Sequence, residues 1–371
     1  MPPWLYAQST SAGAYNLSLS SLEVGLFLSR DCFVKYVVTK VLKRLEWNKV
    51  RGNFNDRQKT LLLPVSFGVS SISLLHVLDT QLQTRLQQGR HASYTLHVLH
   101  IDQSLVLDTV PYQASLDLLK QRFPSYACTT LRLEECYDYG ISIEETSDGH
   151  SCAPSSRVLE NGQRLKDAIS SRDSATSKAD LTDILRRRLI AAFARKWGCD
   201  SILYGDSTTR LAERTLSETA NGRGGFLPWL TADRDLFDGV YCSYPFRDLL
   251  KKELNLYADN SFPTLRPLIV KFEHSCQPIS SKDNTIDGLM RQYFASVEEN
   301  HPSVVANVVK TSDKLEVSRV GDDAVMCRFC NHPISVENWG GDQEGLAVAP
   351  TRLSVRTSTL CYGCARTMQT S

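Results

Sequence analysis

Residues 61–78, LLLPVSFGVSSISLLHVL, constrain this chain more than any other stretch: an apolar run, a turn of small residues, then a second apolar run. Residues 61–65 have the length and branching of a buried parallel strand, with Pro64 near its end, where a missing N–H does little harm. Ser66-Phe67-Gly68-Val69-Ser70-Ser71 is the turn, and Ile72, Leu75, Val77 and Leu78 continue as a helix. Such a loop offers an anion the unpaired N–H groups and positive dipole end of a helix N-terminus. Ser66, Gly68, Ser70 and Ser71 are therefore candidate phosphate-cradling residues. An ordinary strand-to-helix turn would read the same way, so further matches must decide.

The alternation continues downstream. Residues 95–101, TLHVLHI, alternate as a second strand, with Asp102-Gln103-Ser104 at its carboxyl end. His97 and His100 fall on opposite faces of that strand and line no common site. A helix through Leu116, Leu118, Leu119 and Phe123 and a short strand over 128–133 follow. A helix over 181–197 places Leu181, Leu185, Leu189, Ala192 and Phe193 on one face and stops at Gly198. The strand over 199–204 then enters GDSTTRLAERTLSETANGRGG. There Gly205-Asp206-Ser207 is the loop, with Gly205 and Asp206 as candidate nucleotide contacts. Residues 208–220 form a helix capped by Asp206 or Ser207. Alternating strands and helices predict an α/β fold: a doubly wound, mostly parallel sheet whose ligands gather at the strands' carboxyl ends.

Composition sets the outer limits. Lys and Arg number 42 against 41 Asp and Glu, for a net charge of +1, so no global field draws nucleic acid and any RNA contact is a local patch. No apolar run approaches the ~20 residues that cross a bilayer, so no membrane span is expected and the chain reads as soluble and cytoplasmic. Residues 1–28 read as a disordered tail. Residues 29–56 hold a basic helix with Phe33, Val37, Val41, Leu42 and Leu45 at helical spacing and Lys35, Lys40, Lys43 and Arg44 around them. Cys32, isolated in sequence, is expected as a small buried hydrophobe. Residues 57–134 and 180–270 are assigned to the α/β domain, the polar stretch 135–179 to a mobile insert, and 271–371 to a C-terminal region with a metal ribbon.

That ribbon is the most specific local signal. Cys327-Arg328-Phe329-Cys330 and Cys361-Tyr362-Gly363-Cys364 are two CxxC knuckles with thirty residues between them. Four thiolates suit a closed, structural tetrahedral zinc site; an iron–sulfur cluster also takes four cysteines and stays open as the rival. His332 reads as a bystander. The remaining cysteines of the eleven fit a reducing compartment better than a disulfide framework.

Together SFGVSS, the 199–225 segment, YPFRDLLKKELNLYA at 244–258 and the cysteine-rich end resemble one family: cytoplasmic tRNA 2-thiolation protein 2, the partner subunit of the wobble-uridine thiolase. The resemblance covers the chain from about residue 30 onward. It implies an ATP-pyrophosphatase (adenine nucleotide alpha hydrolase-like) fold and a heterodimer with the related catalytic subunit. It also implies sulfur transfer, from a thiocarboxylated ubiquitin-related modifier, to the wobble uridine of lysine, glutamine and glutamate tRNAs. The pyrophosphatases carry SGGxDS in the phosphate loop; here Phe67 replaces the first glycine and Ser70 the acidic residue. Thiolase relatives hold cysteines just before the Arg-rich helix, where this chain reads Ala179-Asp180-Leu181-Thr182-Asp183. These departures argue against ATP binding and turnover and point to a pseudo-enzyme partner. Relatives also carry more cysteines near the N-terminus, and with Ser29 and Cys32 there a second zinc site cannot close. Arg186, Arg187, Arg188, Arg195, Arg210, Arg214, Lys251 and Lys252 are the candidate tRNA-phosphate contacts. Two rivals remain: an active ATP-dependent thiolase or amidating ligase, and a zinc-ribbon scaffold that binds protein and never touches RNA.

Overall fold

A computed structural model describes residues 29–50, 58–106, 112–143, 154–235, 239–270, 284–315, 325–334 and 360–369. Helix α1 (Arg30–Val50) precedes β1 (Lys59–Pro64), α2 (Val69–Gln87), β2 (Tyr94–Asp102), α3 (Gln113–Arg122) and β3 (Ala127–Arg132). A 3-10 turn (Leu133–Tyr137), α4 (Pro154–Ser170) and α5 (Ala175–Lys196) lead to β4 (Ser201–Leu203) and α6 (Thr208–Ala220). Then come α7 (Leu227–Thr231), β5 (Arg234–Asp235), β6 (Tyr241–Ser243) and α8 (Lys251–Asn260). A helical pair, α9 (Ile286–Asn300) and α10 (Pro302–Asp313), and the short α11 (Tyr362–Thr367) complete the described elements.

The strands form one sheet in the order β3-β2-β1-β4-β6-β5. Five run parallel, and the two-residue β5 closes the edge antiparallel. The chain winds outward from β1 to β3 and then returns to the other side of β1 as β4. The switch point therefore lies between β1 and β4, where a ligand crevice opens at the carboxyl ends. Both loops singled out by sequence, after β1 and after β4, flank it.

Both faces of the sheet are covered, as the period of two along β1 requires. Leu62 points to the face packed by Leu181, Leu185 and Phe193 of α5, while Leu61 and Leu63 point to the face shared with Leu74 and Leu75 of α2 and Tyr257 of α8. The two histidines of β2 follow the same rule. His97 lies 5.1 Å from Phe193 and 5.5 Å from Trp197, whereas His100 lies against Phe67 and Tyr112.

Two expectations are corrected. The stretch 135–179 carries α4 and the start of α5 rather than unbroken loop; Leu165, Ala168 and Ile169, at helical spacing, are buried in the same core as Leu181. Its Ser- and Asp-rich composition masked that short amphipathic period. Cys32 is exposed, because the α1 stripe Phe33, Val37 and Val41 faces the core and turns it outward. Residues 1–28, read as a tail, lie outside the described residues.

The α9–α10 pair is pinned to the α/β body by buried charge. Glu298, 5% exposed, accepts hydrogen bonds from Thr209 Oγ1 at 2.9 Å and from the Lys252 backbone N–H at 2.7 Å. Arg247, 3% exposed, donates to the carbonyls of Thr231 and Val309 and pairs with Asp313.

Candidate functional site

The phosphate loop begins where β1 ends, with Val65 N–H bonded to the Leu99 carbonyl at 2.8 Å. Phe67 then adopts φ 58, the left-handed conformation that glycine takes without penalty. Its ring is 1% exposed, edge-on to His100 at 4.9 Å and stacked on Tyr112 at 6.1 Å, and its carbonyl accepts from Val270 N–H at 2.9 Å. Gly68 is the N-cap of α2 and supplies no side-chain cap, so the first-turn N–H groups of α2 have no acceptor within the helix. Ser71 Oγ donates back to the Gly68 carbonyl at 3.1 Å, with Ser66 Oγ 3.5 Å away. Ser70 is half-buried in the first turn. Loop shape is thus retained while one glycine and the acidic residue are gone.

The loop after β4 lies directly on this one. A methyl group at Gly205 would stand 2.9 Å from Ser71 Cα, closer than atoms can approach, so only glycine fits. Ser207 caps α6 by accepting from Arg210 N–H at 3.2 Å, resolving the choice between Asp206 and Ser207. Asp206 instead adds negative charge beside Arg187 and Arg210.

Most of the arginines singled out by sequence are engaged inside the fold. Asp183 pairs with both Arg186 and Arg187, three and four residues on along α5. Burial alone would raise the Asp183 carboxyl, but the guanidinium groups of Arg186, Arg187 and Arg214 outweigh it and hold it well below the usual carboxylate range. Arg210 bridges Glu213 at 3.0 Å and Asp287 at 3.1 Å, and Arg214, 4% exposed, donates to the Tyr244 hydroxyl at 3.1 Å. Arg188 donates to the Phe329 carbonyl at 2.9 Å, inside the first cysteine knuckle. Lys252 Nζ is bonded to the Glu298 carbonyl at 3.1 Å, while Arg195 and Lys251 are exposed. The cavity among Asp183, Arg187, Arg210 and Ser217 measures about 40 Å³, room for a water.

The four cysteine sulfurs converge within 4.8 Å of one another, all buried. Thiolates around one tetrahedral zinc, each about 2.3 Å from the ion, stand about 3.8 Å apart, and Cys330 Sγ lies 3.8 Å from Cys361 Sγ. A four-iron cubane would hold its thiolates farther apart, because four irons and their sulfides stand between them. Backbone N–H groups support the sulfurs, Cys361 N to Cys327 Sγ at 3.3 Å and Cys364 N to Cys361 Sγ at 3.4 Å. The donor set fits a single closed metal ion. His332 stands outside it, its ring stacked on Phe226 at 5.7 Å.

Sequence reasoning missed how this module is seated. Arg223, with its side chain 3% exposed, bonds Glu218 at 2.6 Å and Asp180 at 3.0 Å, and Asp180 also accepts from Thr367 of α11. Gly363 admits the Arg223 side chain, since a methyl there would fall 2.6 Å from Arg223 Cγ. No local signal announced it, because Asp180 and Arg223 stand 43 residues apart in the chain.

Switch-point crevice, phosphate loop after β1 and glycine-bearing loop after β4 define the ATP-pyrophosphatase class of α/β folds. The U34-tRNA thiolase NcsA from Methanococcus maripaludis, solved with its [4Fe-4S] cluster, has this fold with a TM-score of 0.51, at 13% identity over 81% of this chain and 83% of that one. A family profile for cytoplasmic tRNA 2-thiolation protein 2 matches residues 285–354. Proteins of that name from Phaeosphaeria nodorum and Pyrenophora tritici-repentis are 41% and 37% identical, each over 92% of this chain and 90% of the relative. The chain belongs to the cytoplasmic tRNA 2-thiolation protein 2 family, and membership supports a role in tRNA 2-thiolation.

Proposed function

We propose that this chain is the tRNA-binding, non-catalytic subunit of a cytoplasmic heterodimeric thiolase. Its partner is the related catalytic subunit. The pair modifies the wobble uridine of lysine, glutamine and glutamate tRNAs with sulfur from a thiocarboxylated ubiquitin-related modifier. The observation that carries the reading is the ground before the Arg-rich helix. Replacing the 2-oxygen needs that oxygen activated and a sulfur nucleophile beside it; here Asp180 and Asp183 stand there, locked to Arg223, Arg186 and Arg187.

Four of the other described thiols support the same reading, since a nucleophile must be the thiolate. Burial pushes Cys136 and Cys242 up to about 12 and raises Cys128 and Cys199 as well. Phe67, placed where a pyrophosphate would need close backbone approach, argues against ATP turnover. Cys327, Cys330, Cys361 and Cys364 would hold zinc, which would supply cross-linking and no chemistry. Of the basic residues singled out, Arg195 and Lys251 are the exposed ones, and they remain the candidates for phosphate contact.

Reconstitution tests this. tRNA thiolation and AMP formation are measured with this chain alone, the catalytic subunit alone, and both, with ATP and a sulfur donor. Thiolation is expected only with both, and no AMP from this chain by itself. Thiolation by this chain alone would overturn the proposal.

A further inference from the structure

The turn that follows α8 carries the most exposed large apolar side chain among the described residues. Phe262 is 86% exposed, yet its backbone is held on both sides. Arg30, at the start of α1, donates Nε to the Asn260 carbonyl at 2.6 Å and Nη2 to the Ser261 carbonyl at 3.2 Å. Arg122, at the end of α3, donates Nη2 to the Pro263 carbonyl at 2.6 Å and Nη1 to the Thr264 carbonyl at 2.8 Å. Three further bonds to the Ala258 carbonyl, from Ser261 Oγ, Thr264 Oγ1 and Leu265 N–H, tie the turn to the helix end.

A ring left in water on a floppy loop would need no explanation. A ring held out by two arginines from separate helices is a presented surface. Carbonyls consume part of each guanidinium's donors and none of its charge, so Phe262 projects between two cations with N–H groups to spare. The patch extends along α1, where residues 30–45 hold Arg30, Lys35, Lys40, Lys43 and Arg44 beside Asp31, although Arg44 pairs with Asp233 and Asp248 and Lys40 bonds the Asp248 carbonyl. Lys35 and Lys43 lie on its exposed side. This local concentration stands on a chain whose net charge is only +1.

Aromatic faces take unpaired bases by stacking, and flanking cations take the phosphates on either side. We infer that Phe262 and the basic face of α1 form an RNA-docking surface, on which an unpaired nucleotide stacks on Phe262 between phosphates met by Arg30 and Arg122. The inference rests on the tRNA-binding reading above and adds a place and a mode to it. Arg122 immediately precedes the segment entering β3, so the Phe262 end of the surface lies toward the amino ends of the strands, and α1 runs from there to Asp248, beyond the carboxyl end of β6.

The test is binding of a fluorescently labelled, unmodified lysine tRNA transcript to the full chain, alone and co-purified with the catalytic subunit, across a salt series. Phe262→Ala is expected to weaken binding about tenfold at fixed salt, with an unchanged salt slope, and Phe262→Trp to retain it. The pair Lys35→Gln and Lys43→Gln is expected to flatten the slope by about 0.7–0.9 for each phosphate no longer neutralised. Wild-type affinity in Phe262→Ala, or a loss in Phe262→Trp as large as in Phe262→Ala, overturns the inference while leaving tRNA binding intact. Loss of the catalytic subunit from Phe262→Ala with RNA affinity unchanged also overturns it and assigns the turn to protein contact. If wild type binds no transcript in either form, both readings fail. Phe262 buries almost nothing, so an unchanged melting temperature shows that the variants are folded.

Discussion

At the phosphate loop the backbone keeps its shape although the residue that favours that shape has gone. At the four-cysteine module every ligand atom is present, but the peptide around them could scarcely hold them together alone. Phe67 sits at φ 58 because its ring and carbonyl are fixed by His100, Tyr112 and Val270. Burial of the ring offsets a left-handed backbone that costs about 1–2 kcal/mol for an L residue. By contrast α11 has six residues, far below the length at which a helix persists by itself. Packing can therefore preserve a motif's geometry after its chemistry has changed, whereas a metal site keeps its geometry only through its chemistry.

The largest effect that would undo this contrast is metal removal. Cys361→Ser, or exhaustive chelation, is expected to release one equivalent of any bound metal and abolish hydrogen-exchange protection in residues 325–334 and 360–369, while the sheet stays protected. Persistence of that protection without metal would show that packing suffices there too. Next is the seat of the module. Asp180→Ala leaves the buried Arg223 with one carboxylate and Thr367 with only the Gly363 carbonyl, and is expected to cost about 3–5 kcal/mol in urea unfolding. A cost under about 1 kcal/mol would mean that solvent reaches Arg223.

A subtler test concerns the loop. Phe67→Ala is expected to cost about 3–5 kcal/mol, and Phe67→Gly about 1 kcal/mol less despite being smaller, because glycine accepts the left-handed backbone freely. The reverse order would mean that the loop relaxes to another conformation. The smallest effect is on pH dependence. Burial, with Arg122 nearby, lowers His76 from 6.5 to about 4, and its Nδ1 is 2.8 Å from the Tyr257 hydroxyl. Between those values the unfolded chain binds a proton that the folded His76 refuses, so stability is full above pH 6.5 and falls as pH drops toward 4. His76→Phe is expected to flatten that fall in unfolding curves, and an unchanged slope would assign it to other groups.

What could be read from sequence was what local chemistry fixes. The strand-loop-helix at 61–78, the helix at 208–220 and the two CxxC knuckles each announce themselves within a few residues. The fate of the arginines did not, because Arg210 finds Asp287 and Arg223 finds Asp180 across spans that no period reveals. Only Asp183 with Arg186 and Arg187 stands at a helical spacing that the sequence itself displays. The α4 helix hid behind composition. Phe262 hid because exposure is a property of the folded surface, and nothing in DNSFPTL says that two distant arginines will hold the turn still.

Gly205 carries one hydrogen where any other residue would carry a carbon, and on that hydrogen rests the contact between two loops whose parent strands stand about 140 residues apart in the chain. The seam behaves mechanically as a weld. A displacement of the first turn of α2 must be shared by the loop that starts α6, and through α6 by the arginines that seat the metal module. A substitution at 205 would therefore act as a wedge, forcing apart the first turn of α2 and the loop that starts α6.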